Sequence, residues 1–130
     1  MRKKIFTRQQ GQLIINQMRK RKLKAYLIGS IAEKGFSEND IDIMLINPPK
    51  DWDTLVMYSV FAIRKYYLMR KTIKTIPNDW GGQVFVWGNS EIVNGAIVPD
   101  KHMPTGIELR LDIFVKKQEV PNSSQGKVDR

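Results

Sequence analysis

Asp40 and Asp42 are separated by one residue at the head of an apolar run that ends at Ile46, and a third acid, Asp112, lies inside a second such run, Leu109-Arg110-Leu111-Asp112-Ile113-Phe114-Val115. If Asp40–Ile46 is a strand, its side chains alternate faces, so Asp40 and Asp42 point one way while Ile41 and Ile43 point into a core. Two carboxylates at i and i+2 stand about 6–7 Å apart at the backbone and can converge on divalent cations. Hard cations such as Mg2+ take oxygen ligands and keep several waters and phosphate oxygens. A D-x-D pair alone also describes a solvated surface. Here its neighbours are apolar, and Gly29-Ser30 closes the preceding apolar run Tyr26–Ile28, where backbone N–H groups can meet a phosphate. Metal-dependent phosphate chemistry is the expectation. An aspartate inside an apolar strand is costly without a partner or a metal, which extends the expectation to Asp112. Alternation puts Arg110, Asp112 and Phe114 on one face, so Arg110 can pair with Asp112 or reach a phosphate.

Gly29-Ser30, a second glycine at Gly35, Asp40-x-Asp42 and Asp112 on a later strand together resemble the nucleotidyltransferase domain of the DNA polymerase beta superfamily. The segment RLDIFV, from Arg110 to Val115, is similar to the third-acid strand of family X polymerases. The resemblance covers Ala25 to Val115, and its specific part is the stretch from Tyr26 to Ile46 plus that hexapeptide. It implies an α+β fold, a mixed or mostly antiparallel sheet with helices packed mainly on one face. It also implies transfer of a nucleoside monophosphate from an NTP to a hydroxyl acceptor, with release of pyrophosphate. Asp40, Asp42 and Asp112 would be the catalytic residues and would hold two Mg2+ ions, with Mn2+ as a substitute, roughly 3.5–4 Å apart. Gly29, Ser30 and Lys34 would bind the nucleotide, and Asp112 would be the acid closest to the acceptor hydroxyl. Many members carry a basic residue, often Arg, soon after G-S; here Glu33 occupies that position and Lys34 is the nearest cation. Family X polymerases continue into a domain that grips the nascent base pair. Nothing here matches it, and templated polymerisation by this chain alone is not expected.

The acceptor is read from charge. The chain of 130 residues carries a formal net charge of +9, which favours polyanions. From Arg2 to Lys24 there is no acidic residue, and Arg19, Lys20, Arg21 and Lys22 form a cluster of which helix-end electrostatics explains only one or two. With Arg110 they are candidate nucleic-acid contacts, so a nucleic-acid hydroxyl is the expected acceptor. The resemblance also includes small stand-alone members that modify proteins, such as antitoxins that put AMP on a partner's tyrosine, and others that modify small molecules. A nucleic-acid-binding module with a degenerate site is a further alternative, suggested by Glu33.

The elements that must position these residues follow from pattern. Thr7 and Gln10 can form a capping box for a helix from about Arg8 to Arg21. Ser30 can start a short helix, and Ser37 and Asn39 shape the turn before Asp40. Asn47-Pro48-Pro49 ends the strand, and Asp51 can cap a helix from Trp52. The run Leu55–Ile63 is apolar nearly all round and is expected to be buried on more than one side. Beyond it, Arg64, Lys65, Arg70, Lys71 and Lys74 with Tyr66 and Tyr67 read either as a face for single-stranded nucleic acid or as an amphipathic helix. Pro77 to Gly82 is a turn, Gln83–Trp87 a strand, Gly88-Asn89-Ser90 a hairpin turn and Ile92–Val98 a weaker strand. Asp100 to Gly106 is a loop holding the only histidine, His102, and the third-acid strand spans Ile107 to Lys116. Trp80 and Trp87 can stack a base or complete a core.

A chain of this length with 42% hydrophobic residues is one domain, expected over residues 1–118, with 119–130 as a flexible polar tail. No apolar stretch is long enough to span a bilayer, so no membrane partner is expected. The basic start from Met1 is not followed by an apolar run with a cleavage site. With no cysteine, thiolate metal sites, disulfides and cysteine nucleophiles are excluded, and a cytoplasmic location is the expectation. Nothing in the pattern fixes the oligomeric state or the base of the nucleotide.

Overall fold

The chain reads, in order, β1 (Phe6–Thr7), α1 (Arg8–Lys20), β2 (Ala25–Ile28), α2 (Gly29–Lys34), β3 (Phe36–Ser37), β4 (Ile41–Ile46), α3 (Trp52–Phe61), β5 (Ile73–Pro77), β6 (Gln83–Gly88), β7 (Ser90–Val93), β8 (Ala96–Pro99) and β9 (Ile107–Lys116). These elements come from a computed structural model, which describes residues 5–63, 73–78, 81–88, 90–99, 102 and 107–118. The basic and aromatic residues from Arg64 to Lys71, Trp80 and the expected tail at 119–130 lie outside the described residues.

Helix α1 begins where the capping box predicts. The Thr7 hydroxyl accepts the Gln10 N–H at 3.2 Å, and the Gln10 side chain accepts the Thr7 N–H at 3.0 Å. Its apolar stripe, Ile14, Ile15 and Met18, is fully buried. Arg8 then ties the start of α1 to the end of α2. Its guanidinium donates to the Ile31 and Ala32 carbonyls in the last turn of α2 at 3.2 and 3.0 Å, the Ile31 carbonyl also accepting the Gly35 N–H at 2.9 Å. Gly35 closes α2 in the left-handed conformation at φ +88°.

The fold is α+β, built on a mixed five-stranded sheet in the order β2-β4-β9-β6-β5. Strands β4 and β9 run parallel, and every other neighbouring pair in this sheet is antiparallel. Period-two alternation sorts the side chains. Ile41, Ile43 and Leu45 of β4, Leu109, Leu111 and Ile113 of β9, and Phe85 and Trp87 of β6 form one buried cluster with residues from all three helices. The helices therefore cover one face. Phe85 stacks on Trp87 with centroids 6.2 Å apart and meets the edge of Trp52 at 6.1 Å, so Trp87 belongs to the core and is closed to a nucleobase. Each fully buried aliphatic side chain in such a cluster is worth about 1.5–3 kcal/mol. On the opposite face Val84 and Val86 are buried with Ile97 of β8, while Asp42, Arg110 and Asp112 share the same side.

Several expectations need correction. Residues 73–77 form a strand where a basic helix was one of two readings, because Ile73, Thr75 and Ile76 are β-branched and pair with β6. The strands on either side of the expected hairpin turn at Gly88-Asn89-Ser90, β6 and β7, belong to different sheets and do not form a hairpin. The hairpin is β7–β8, turning at Asn94 (φ 51°) and Gly95 (φ 78°), so the expected single strand Ile92–Val98 is two. Phe36-Ser37 pairs with β1 as a short strand. Asp51 is the N-cap residue of α3 but makes no side-chain capping bond; Asp53 accepts the Thr54 N–H instead. The apolar run of α3 is also covered less completely than its composition suggests, for Tyr58 is 56% exposed. Among the described residues, no helix is long and apolar enough to cross a membrane.

Candidate metal centre

The three aspartates meet because of strand register. Asp42 of β4 and Asp112 of β9 are direct partners on neighbouring parallel strands. Their side chains emerge on the same face, the one the helices leave uncovered. Asp40 precedes β4 by one residue and is set by a turn. The buried Ser37 hydroxyl accepts the N–H groups of Asn39 and Asp40, both at 3.3 Å, which is the turn-shaping role its sequence position predicts. Asp40, Asp42 and Asp112 each offer a carboxylate oxygen, and these atoms lie within 4.8 Å of one another.

Two further backbones fix the carboxylates. Gly29 sits at φ +68° beside Asp42, and a Cβ there would overlap the Asp42 carboxylate oxygen, so only glycine lets α2 begin this close. On the other side Asn78, at the end of β5, donates from its amide to Asp112 Oδ1 at 2.9 Å and to the Ile113 carbonyl at 2.8 Å. Asn78 was read only as part of a turn. Its partner lies 34 residues away, and no local pattern announces the contact.

Arg110 does not pair with the acid two residues along its own strand. Its Nε lies 4.0 Å from Asp40 Oδ2, so its ion pair is with Asp40 rather than Asp112. That Nε is buried and makes no hydrogen bond to any of the described residues. Arg110 and Asp40 also line a cleft of about 510 Å3 with Phe6, Glu38, Asn39, Ile97 and Pro99. Ser30 and Lys34, expected at the nucleotide, line a smaller cleft of about 160 Å3 with Phe36, Ser37, Glu38 and Asn39. The helix α2 starts at Gly29, one residue earlier than Ser30, and Glu33 is exposed on it.

The cluster Arg19–Lys22 is not brought to the acids. It lies at the end of α1 beside Ala25, which pairs with Leu45, whereas Asp42 pairs with Ile28 at the other end of β2. Three residues of strand separate those positions by about 10 Å. Arg19 donates twice to the Ala25 carbonyl, at 3.2 and 3.0 Å, and lies over the Tyr26 ring. Arg21 donates to the Gln17 carbonyl and side chain, whereas Lys20 and Lys22 are exposed. His102 is exposed, outside these clefts.

Half-burial among like charges makes the charge on Asp40 and Asp42 expensive. Burial raises Asp42 to about 7, and the neighbouring charges of Asp40 and Asp112 add to the effect. Asp40 is raised as well, first by burial, with Arg110 opposing. A folded-state value above the ordinary 3.8 makes protonated Asp42 favour the fold below about pH 4, an advantage lost as pH rises through about 7. A divalent cation bound by these acids would replace the proton. The expected result is a metal-free protein whose melting temperature falls between about pH 4 and pH 7, with Mg2+ raising it more at about pH 8 than at about pH 5. Calorimetric melts with EDTA and with Mg2+ check this; equal Mg2+ shifts at both pH values would contradict it.

No protein-family model matches the chain, and no curated protein matches it either.

Proposed function

We propose that this chain is a metal-dependent nucleotidyltransferase that moves a nucleoside monophosphate from an NTP to a hydroxyl acceptor. The observation that carries the reading is the meeting of Asp40, Asp42 and Asp112 within 4.8 Å, on a sheet face left open by the helices. The residues fit a hard divalent cation: all three donors are carboxylates, they are half-buried, and Asp40 and Asp42 hold protons too tightly to be comfortable as bare charges. Bound Mg2+, or Mn2+ in its place, supplies Lewis-acid neutralisation of phosphoryl oxygens.

The chain's own residues do the rest by positioning. Asp40 and Asp42 would hold the cation that neutralises the triphosphate. Ser30 and Lys34 border the cleft that receives its terminal phosphates. Asp112 stands nearest the acceptor hydroxyl and takes its proton. The acceptor oxygen bonds to the α-phosphorus, the bond from that phosphorus to the bridging oxygen breaks, and pyrophosphate leaves with the electron pair. Such transfer depends mainly on alignment and charge neutralisation, so a short residue list suffices.

A nucleic-acid hydroxyl is the first acceptor, on the strength of the +9 charge. A protein or small-molecule hydroxyl is the second reading. It is favoured by the placement of Arg19–Lys22 away from the acids and by the 510 Å3 cleft beside Asp40.

The test is transfer of label from α-labelled NTPs, with Mg2+ or EDTA, onto RNA, DNA, protein and aminoglycoside acceptors. Incorporation that requires the divalent ion is expected. Equal incorporation in EDTA contradicts the mechanism. Salt-dependent RNA or DNA binding with no transfer to any acceptor would instead identify a binding module with a degenerate site.

A further inference from the structure

We infer that Asn78 is the positioning residue of the third carboxylate, and that the turn carrying it is built to aim Asp112 at the cation. The inference rests on the reading of the site as a metal centre. The Asn78 amide has two hydrogen-bonding ends, and both are used. Its NH2 donates to Asp112 Oδ1 at 2.9 Å and to the Ile113 carbonyl at 2.8 Å. Its oxygen accepts the Gly82 N–H at 2.9 Å, and the Asn78 N–H donates to the Gly82 carbonyl at 3.1 Å. One side chain thus closes the turn between β5 and β6 and grips β9 at the same time.

The backbone is shaped for this approach. A Cβ on Gly82 would overlap the Ile113 carbonyl oxygen, so the turn reaches β9 only because residue 82 is glycine. A planar amide held at three points cannot swing, and the Asp112 oxygen it engages cannot swing either. Held this way, Asp112 keeps a carboxylate oxygen within 4.8 Å of those of Asp40 and Asp42. Outer partners that orient a ligating carboxylate typically govern metal affinity by about 10–100-fold.

The experiment is a double-mutant cycle read by Mn2+ titration calorimetry on the full chain: wild type, Asn78→Ala, Asp112→Asn and the double variant. The expected result is a rise in the Mn2+ Kd of about 10–100-fold for Asn78→Ala, and no further rise when Asn78→Ala is added to Asp112→Asn. A merely structural role lowers the melting temperature but weakens Mn2+ binding by the same factor in both backgrounds, and that result overturns the inference. So does a wild-type Kd in Asn78→Ala. Should Asn78→Ala not fold, Asn78→Ser replaces it: the hydroxyl can still accept the Gly82 N–H while ending short of Asp112. Failure of the underlying reading looks different. Wild-type protein that takes up no Mn2+, or that binds it as well with Asp112→Asn, overturns the metal centre and the positioning role together.

Discussion

Replacing Asp42 by asparagine is expected to lower the proposed nucleotide transfer by roughly a thousandfold while making the metal-free protein more stable near pH 8. The two effects have one cause. Asp42 is the acid that the surroundings burden most: burial, then the charges of Asp40 and Asp112, raise it to about 7. Asparagine has nearly the same shape, keeps the strand pairing of Ile28 with Asp42's position, and removes that charge. Relief of buried like-charge repulsion favours the fold when no cation is present. Loss of a central carboxylate weakens the hold on the cation that would neutralise the phosphoryl oxygens. Activity with labelled NTP and melting in EDTA check both halves. Unchanged transfer would contradict the mechanism, and a lower melting temperature in EDTA near pH 8 would contradict the electrostatic account of the site.

Gly29→Ala is expected to lower transfer by about a hundredfold and to cost roughly 1–3 kcal/mol of stability. Here the cause is steric. Residue 29 sits at φ +68°, which an L side chain rarely adopts, and its Cβ would occupy the space of the Asp42 carboxylate. Either α2 retreats or the carboxylate turns away, and a displacement of about 1 Å at a reacting centre is enough for a hundredfold loss. Raising Mn2+ should recover part of the activity, because the displaced ligand binds weakly rather than not at all. Wild-type kinetics in Gly29→Ala, with stability also unchanged, would show that the close approach of Gly29 to Asp42 is not needed.

What could be read in advance was what lies close along the chain. The capping box at Thr7 and Gln10 is four residues long, and the helix starts where it says. Strand β9 carries its own alternation, and its limits, Ile107 and Lys116, match the reading. The turn role of Ser37 is local as well. Alternation also predicted that Asp40 and Asp42 would share a face, but the convergence of Asp112 on them depends on a parallel register between β4 and β9 that spacing does not show; the resemblance supplied the third acid, not that register. The hairpin at Asn94-Gly95 was missed although its dipeptide is a strong turn signal; Gly88-Asn89-Ser90 drew the turn to the wrong place. Strand β5 was hidden by the basic residues before it. Asn78 and Gly82 were invisible because their meaning lies in β9, more than thirty residues on, and Arg110's choice of Asp40 over Asp112 is set by the fold in space, not by position on its strand.

The central claim is that three aspartates from β4, its approach turn and β9 share bound divalent metal. Its most direct measurement is an anomalous difference map from crystals of the full chain grown with Mn2+. The account predicts a peak within coordination distance of Asp40, Asp42 and Asp112, absent from crystals of Asp42→Asn. A map with no peak there, or with manganese bound only elsewhere on the chain, would contradict it.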